Sequence, residues 1–106
     1  MSTTPFEASG ALGASLSTLY TVPSNRIAIV KAMTVANSTG GALSLVVEVK
    51  PTSGGTQRRL VPARTIADLQ TDLVPELGNC VIESAGLIQA SGNGLVYHLS
   101  GILVNV

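Results

Sequence analysis

Apolar and polar positions alternate along most of this chain, and a period of two is the signature of strands. The stretch from Leu19 to Asn37 organises the rest. It reads as two strands joined by a corner at Pro23-Ser24-Asn25, where proline fixes its own φ and removes a ladder donor. From Arg26 to Ala36 the period-2 reading puts Ile27, Ile29, Met33 and Val35 on one face and Ala28, Val30 and Ala32 on the other. A strand that is apolar on both faces belongs inside a sheet, or between a core and a partner subunit.

The same rules place the other elements. Ser15 to Thr21 is the first strand of the domain, and Asn37-Ser38-Thr39-Gly40-Gly41 is a loop by composition. Leu43 to Val49 alternates with Leu43, Leu45, Val47 and Val49 inward. After a turn at 51–55, Gln57 to Val61 forms a short strand that Pro62 confines to an edge or ends. Thr65 to Val74 is read as a strand through Ala67, Leu69, Thr71 and Leu73. A helix is the alternative, since Thr65 and Asp68 resemble a capping pair and Ile66, Leu69 and Leu73 keep helical spacing. Asn79 to Glu83, Leu87 to Ser91 and Leu95 to Val104 are further strands, and Gly92-Asn93-Gly94 reads as a hairpin turn. The sum is about eight strands with a turn every dozen residues or so, which predicts an all-β, single-domain β-sandwich or jelly roll over residues 14–106. Residues 1–13 are small and weakly patterned and read as an N-terminal arm whose anchors, Phe6 and Leu12, dock against a neighbouring subunit or particle surface, the alternative being an arm laid along its own sheet.

Composition sharpens this picture. Hydrophobic residues make up 45% of the 106 and charged ones 11%, against roughly a quarter in an average domain. So few charges cannot cover a small sphere, and part of the apolar surface is expected to be covered by other subunits. The formal net charge is zero, which argues against nucleic-acid binding through the phosphate backbone. All six basic residues lie between Arg26 and Arg64, whereas Asp68, Asp72, Glu76 and Glu83 follow, an arrangement that suits complementary surfaces between neighbouring subunits. No apolar run approaches the ~20 residues that span a bilayer, and no signal peptide is visible, so no membrane partner is expected and synthesis in a cytoplasm is. The Asn37-Ser38-Thr39 sequon is then turn chemistry rather than a glycan acceptor.

Candidate chemistry is sparse. His98 is the single histidine, mid-strand and without an aspartate nearby in sequence, so no catalytic triad is legible. Cys80, the single cysteine, excludes an intrachain disulfide and reads as a small buried hydrophobe. The later carboxylates lack the dense ligand run of a calcium loop. No cofactor, no metal and no enzymatic activity are expected. Arg58-Arg59 with Arg64 is the densest basic cluster, read either as a solvated, charge-guarded edge strand or as a contact for an acidic partner. With Phe6, Tyr20 and Tyr97 the only aromatics, stacking platforms for single-stranded nucleic acid or for sugars are missing.

The corner Leu19-Tyr20-Thr21-Val22-Pro23, followed by Ile27 to Ala32 and Thr34-Val35-Ala36-Asn37, resembles a recurrent pattern in small virion proteins of tailed bacteriophages. Gly86 to Ser91 and Val96 to Ile102 resemble the C-terminal half of that pattern, although Leu87 stands where the family usually has aspartate. The resemblance implies a β-sandwich or jelly-roll module of the virion. It points first to a capsid decoration (cement) protein that bridges capsomers, often as a homotrimer, and alternatively to a tail, baseplate or fibre component. The implied partners are the chain itself and the major capsid protein or another virion protein, with Phe6, Leu12, Arg58, Arg59 and Arg64 as the expected contact residues. A carbohydrate-binding module is the alternative from a different class.

Overall fold

The computed structural model describes residues 3–52 and 54–105, and it is all-β apart from one turn of 3-10 helix at Pro75–Leu77. Nine strands are present among the described residues: β1 Thr3–Ala11, β2 Ser17–Thr21, β3 Arg26–Ala36, β4 Leu43–Lys50, β5 Arg58–Ile66, β6 Thr71–Asp72, β7 Cys80–Ile82, β8 Leu87–Ser91 and β9 Val96–Asn105. They form two antiparallel sheets. The larger runs β1-β9-β3 with β6 and β7 both on the far edge of β3, and the smaller runs β2-β8-β4-β5. Counting β6 and β7 as one interrupted strand, this is the wiring of an eight-stranded jelly roll.

Between the sheets, Val30, Met33, Val35 and Leu99 from the larger one meet Leu45, Val47, Val61 and Ile88 from the smaller one, all essentially without solvent contact. The Pro23 corner carries the chain from one sheet to the other, with Asn25 at φ 61°. Such a conformation suits asparagine, whose short polar side chain tolerates the left-handed region.

Several expectations are corrected. In β3 a bulge lies between Val30 and Ala32, so Lys31 has no pairing partner on β9. The parity therefore reverses along the strand: Ala28 and Val30 face the core before the bulge, Met33 and Val35 after it, and Ile27 and Ile29 point outward. One inserted residue flips every later side chain, which a strict period of two cannot register.

Gly92-Asn93-Gly94 is not a hairpin, because β8 and β9 belong to different sheets. It is a corner turn closed by the Leu95 N–H donating to the Gly92 carbonyl at 2.8 Å, with Gly94 at φ 99° in the third position. A type II turn requires positive φ there.

Thr65 to Val74 is neither one strand nor a helix. β5 is longer than expected and runs through Pro62 to Ile66 at the sheet edge, where the missing donor does no harm. The chain then turns through Ala67–Gln70, with Leu69 at φ 63°, before the two residues of β6.

The N-terminal segment is also no separate arm. Its first two residues lie outside the described ones, but Thr3 to Ala11 pair with Val104 to Val96 in unbroken antiparallel register. Phe6 crosses to the smaller sheet and stacks on Tyr20 with ring centroids 4.5 Å apart. The ring lies over Gly101, its register partner, where any Cβ would approach the Ile29 carbonyl oxygen to 2.3 Å. Glycine at 101 gives the aromatic ring its seat, and the ring supplies the apolar cover that glycine lacks.

Candidate functional site

The uncovered apolar surface is concentrated in two places. The first is the outward face of the larger sheet. Pro5, Ile102, Ile29 and Val81 are successive register partners across β1, β9, β3 and β7, and Val104 and Ile27 pair in the next row. The two isoleucines of β3, Ile102 and Val104 are half-buried, whereas Val81 is 53% exposed. The β3 bulge creates this patch: it turns Ile27 and Ile29 out while Met33 and Val35 remain in. Beside it, Pro5, Phe6, Glu7, Ser100 and Gly101 line a shallow depression of about 410 Å³ with Glu7 as its single ionisable side chain.

The second place is the turn before β6 and the segment after it, where Leu69 is 79% and Leu73 69% exposed. This segment is held firmly. The Leu69 N–H donates to the Asn37 carbonyl at 2.8 Å, and the Asn37 N–H donates to that of Gln70 at 3.0 Å. The Asp72 carboxylate accepts the Val74 N–H at 2.7 Å and an Arg64 guanidinium N–H at 3.0 Å. Arg64 also reaches Glu76, and that contact holds the Glu76 carboxyl below its usual range while the guanidinium is pushed up. Val74 sits buried at φ 40°, ψ 64°, a strained setting for a β-branched residue, ahead of Pro75. Strain of this kind persists only where the surroundings over-determine it.

The expected contact residues divide. Phe6 and Leu12 are buried in the chain's own core and offer no docking surface. This corrects the expectation that they reach a neighbour and agrees with the alternative, because β1 pairs with β9 as the edge strand of its own larger sheet. Arg58 is exposed on the β5 edge, Arg59 pairs with Glu48 at 2.5 Å, and Arg64 joins the loop network. The arginine cluster is therefore split between the two ends of β5. His98 projects from the outward face of the larger sheet with its Nε2 3.8 Å from Glu7. Cys80 is half-buried in β7, and burial pushes its thiol pKa up, which lowers its reactivity as a nucleophile. Among the described residues no three His, Cys, Asp or Glu side chains converge as a metal site needs. The three aromatics pack into or against the core, and two of them, Phe6 and Tyr20, stack on each other.

Asn37, the one buried polar residue among those described, is a structural hub. Its amide donates to the Gly41 and Ile66 carbonyls at 2.8 Å each, and its Oδ1 accepts the Thr39 N–H at 3.1 Å and the Thr39 hydroxyl at 2.8 Å. The sequon is thus an Asx turn, as its loop composition suggests.

No protein-family model and no curated protein matches the chain. Solved structures do. A chain of the T13 IBDV viral particle superposes with a TM-score of 0.57 at 7% identity, over 97% of this chain and 31% of that one. A chain of the infectious bursal disease virus Gx strain gives 0.53 at 13% identity, over 99% and 30%. A subunit of the Bacillus endospore appendages, described as disulfide-linked pili, gives 0.57 at 10% identity over 99% of this chain and 88% of that one. This chain spans under a third of the viral chains but most of the pilus subunit. At such identities the likeness is one of fold, and the fold these chains share is the jelly-roll sandwich.

Proposed function

We propose that this chain is a non-enzymatic structural protein of a bacteriophage virion, made in the host cytoplasm and acting as a capsid decoration protein that bridges capsomers. The observation that carries the reading is the outward apolar face of the larger sheet. A row of Pro5, Ile102, Ile29 and Val81 with Val104 and Ile27 beside it is surface that a freely soluble domain would cover with charge. Seated on a capsomer boundary, it would bury aliphatic area at roughly 25 cal/mol per Å². The sheet supplies a rigid backing, so little ordering entropy opposes docking. The fold likeness to chains of virus particles supports a place in an assembly, as does the sequence resemblance to phage virion proteins. Homotrimers and contact with the major capsid protein belong to the same reading. A place in the tail or a fibre is the second reading, favoured by the likeness to a pilus subunit over nearly its whole length.

The test is to tag the chain and purify the phage particles from the host that encodes it, then label them with gold for negative-stain microscopy. Regular labelling of the head bears out the decoration role, and labelling confined to the tail favours the second reading. Particles without label overturn both. Replacing Ile29 and Ile102 with serine should abolish attachment while leaving the purified protein folded.

A further inference from the structure

The net charge of zero hides a separation of charge along the molecule. The long axis is 45 Å against 25 and 19 Å across, and only the strand direction is that long, since the eleven residues of β3 span about 35 Å. At the end where β3 finishes lie Asp68, Asp72 and Glu76, with Arg64 as the sole cation: Asp68 accepts the Gly40 N–H at 2.9 Å, and Asp72 pairs in register with Val35. Three carboxylates against one guanidinium leave this pole at −2. At the opposite end, where β3 begins, register and hydrogen bonds gather Arg26, Lys50, Arg58 and Arg59 with Glu48 and Glu83. Four cations against two carboxylates leave that pole at +2. Lys31 and Glu7, on the middle of the outward face, balance each other.

The acidic pole is also the one that carries Leu69 and Leu73, exposed on a segment whose backbone is fixed by the Asn37, Asp72 and Arg64 contacts. The basic pole offers the half-buried Ile27 and Val104 beside Arg26. A preorganised pair of exposed aliphatic side chains beside a net negative charge loses little ordering entropy on docking. The surface that matches it in sign and in apolar character is present at the far end of the same chain.

We infer that copies of this chain associate head to tail along the strand direction, the acidic pole with Leu69 and Leu73 seating on the basic pole of the next copy. The partner is a second copy because each molecule brings both halves of the contact, in equal number and too far apart to meet within one chain. Such a contact is heterologous. It closes into a ring if the rotation between copies permits and otherwise runs on as a filament. The inference shares Ile27 and Val104 with the edge of the patch used in the virion reading, but either can fail while the other holds, since a chain can assemble with itself whatever larger structure it serves.

Two variants test it, one for each pole. Leu69→Asn with Leu73→Ser removes the aliphatic pair, and asparagine tolerates the positive φ at position 69. Lys50→Glu with Arg58→Glu reverses the basic pole. Sedimentation velocity should show the wild type assembling at about 50 mM salt and dissociating as salt rises beyond the screening range. Each variant alone should associate at least tenfold more weakly, with an unchanged circular dichroism spectrum. Mixed in equal amounts, the two should form a one-to-one dimer and nothing larger, because each retains the pole that the other has lost. A wild type that stays monomeric at about 100 μM overturns the inference, as does a mixture of folded variants that fails to dimerise. So does a variant that assembles like the wild type. If either double variant fails to fold, Leu73→Ser and Arg58→Glu alone, both at exposed positions, carry the same test with the same readings.

Discussion

At the scale of single residues, Asn37 decides more than its place in a Gly/Ser-rich loop suggests. A buried amide with both donors and its acceptor satisfied ties the end of β3 to the β5 end and to the loop leading into β4. Removing it takes the amide from the buried Ile66 carbonyl and the acceptor from the Thr39 N–H, while the Gly41 carbonyl keeps the Thr39 hydroxyl at 3.2 Å, and a buried polar group left unpaired costs about 1–3 kcal/mol. Asn37→Ala should therefore lower the urea midpoint by that order. Asn37→Asp should do the same, because a carboxylate keeps the acceptor but would face two carbonyl oxygens where donors stood. Change within about ±0.5 kcal/mol, typical of an exposed substitution, would show that the amide is no structural hub.

At the scale of elements, the segment from Ala67 to Leu77 shows what a sequence hides. Its alternation of Ala67, Leu69, Thr71 and Leu73 reads as a strand and its spacing as a helix, yet backbone hydrogen bonds to Asn37 from a distant part of the chain hold it as a turn, with Asp72 accepting from Val74 within the stretch and from Arg64 just before it. The Asn37 contacts are non-local, so no local pattern announces them. The strands built on strict alternation were legible nearly to the residue: β3 and β8 match in full, and β4 differs by one. The β3 bulge was not, since its residues have ordinary strand propensity and only pairing with β9 reveals Lys31 as extra. That single insertion exchanged the faces of Ile27 and Ile29 and produced the patch on which the proposed function rests. Even so, the signal for an interface was visible, because β3 is apolar on both faces.

The same segment has a pH dependence. Its hydrogen bond to Arg64 holds Glu76 below the usual glutamate range, so folding favours the charged carboxylate. A depressed value in the folded state gives stability that is complete above the unfolded value of about 4.3, and that is lost as pH falls through the folded value. Thermal melts from pH 7 downward should hold level to about pH 5 and then decline, and Glu76→Gln should flatten the part of the decline that Glu76 causes. An acid limb identical in the variant would remove Glu76 from the account.

At the scale of the whole molecule, the jelly roll makes the two ends of the chain depend on each other. β1 and β9 are the first and last strands, and Thr3 pairs with Val104 across almost the full length of the sequence. Closing so long a loop costs entropy before its contacts repay it, which places folding in the millisecond-to-second range of non-local β topologies. Thr3 to Ala11 are then part of the cooperative unit despite a composition that gives no reason for order. Their deletion strips β9 of one of its two partners, uncovers Gly101 and removes Phe6 from Tyr20 and the core. Truncating a buried phenylalanine alone costs about 3–5 kcal/mol, and a domain of this size has a total stability of about 5–15 kcal/mol. The shortened chain should thus melt well over 10 °C lower or lack a cooperative transition, while Phe6→Leu, which keeps much of the buried volume, should fall between it and the full chain. Should the deletion melt where the full chain does, β1 would be an attachment laid on a finished sandwich, and the remaining strands would have to close the larger sheet with β9 at the edge.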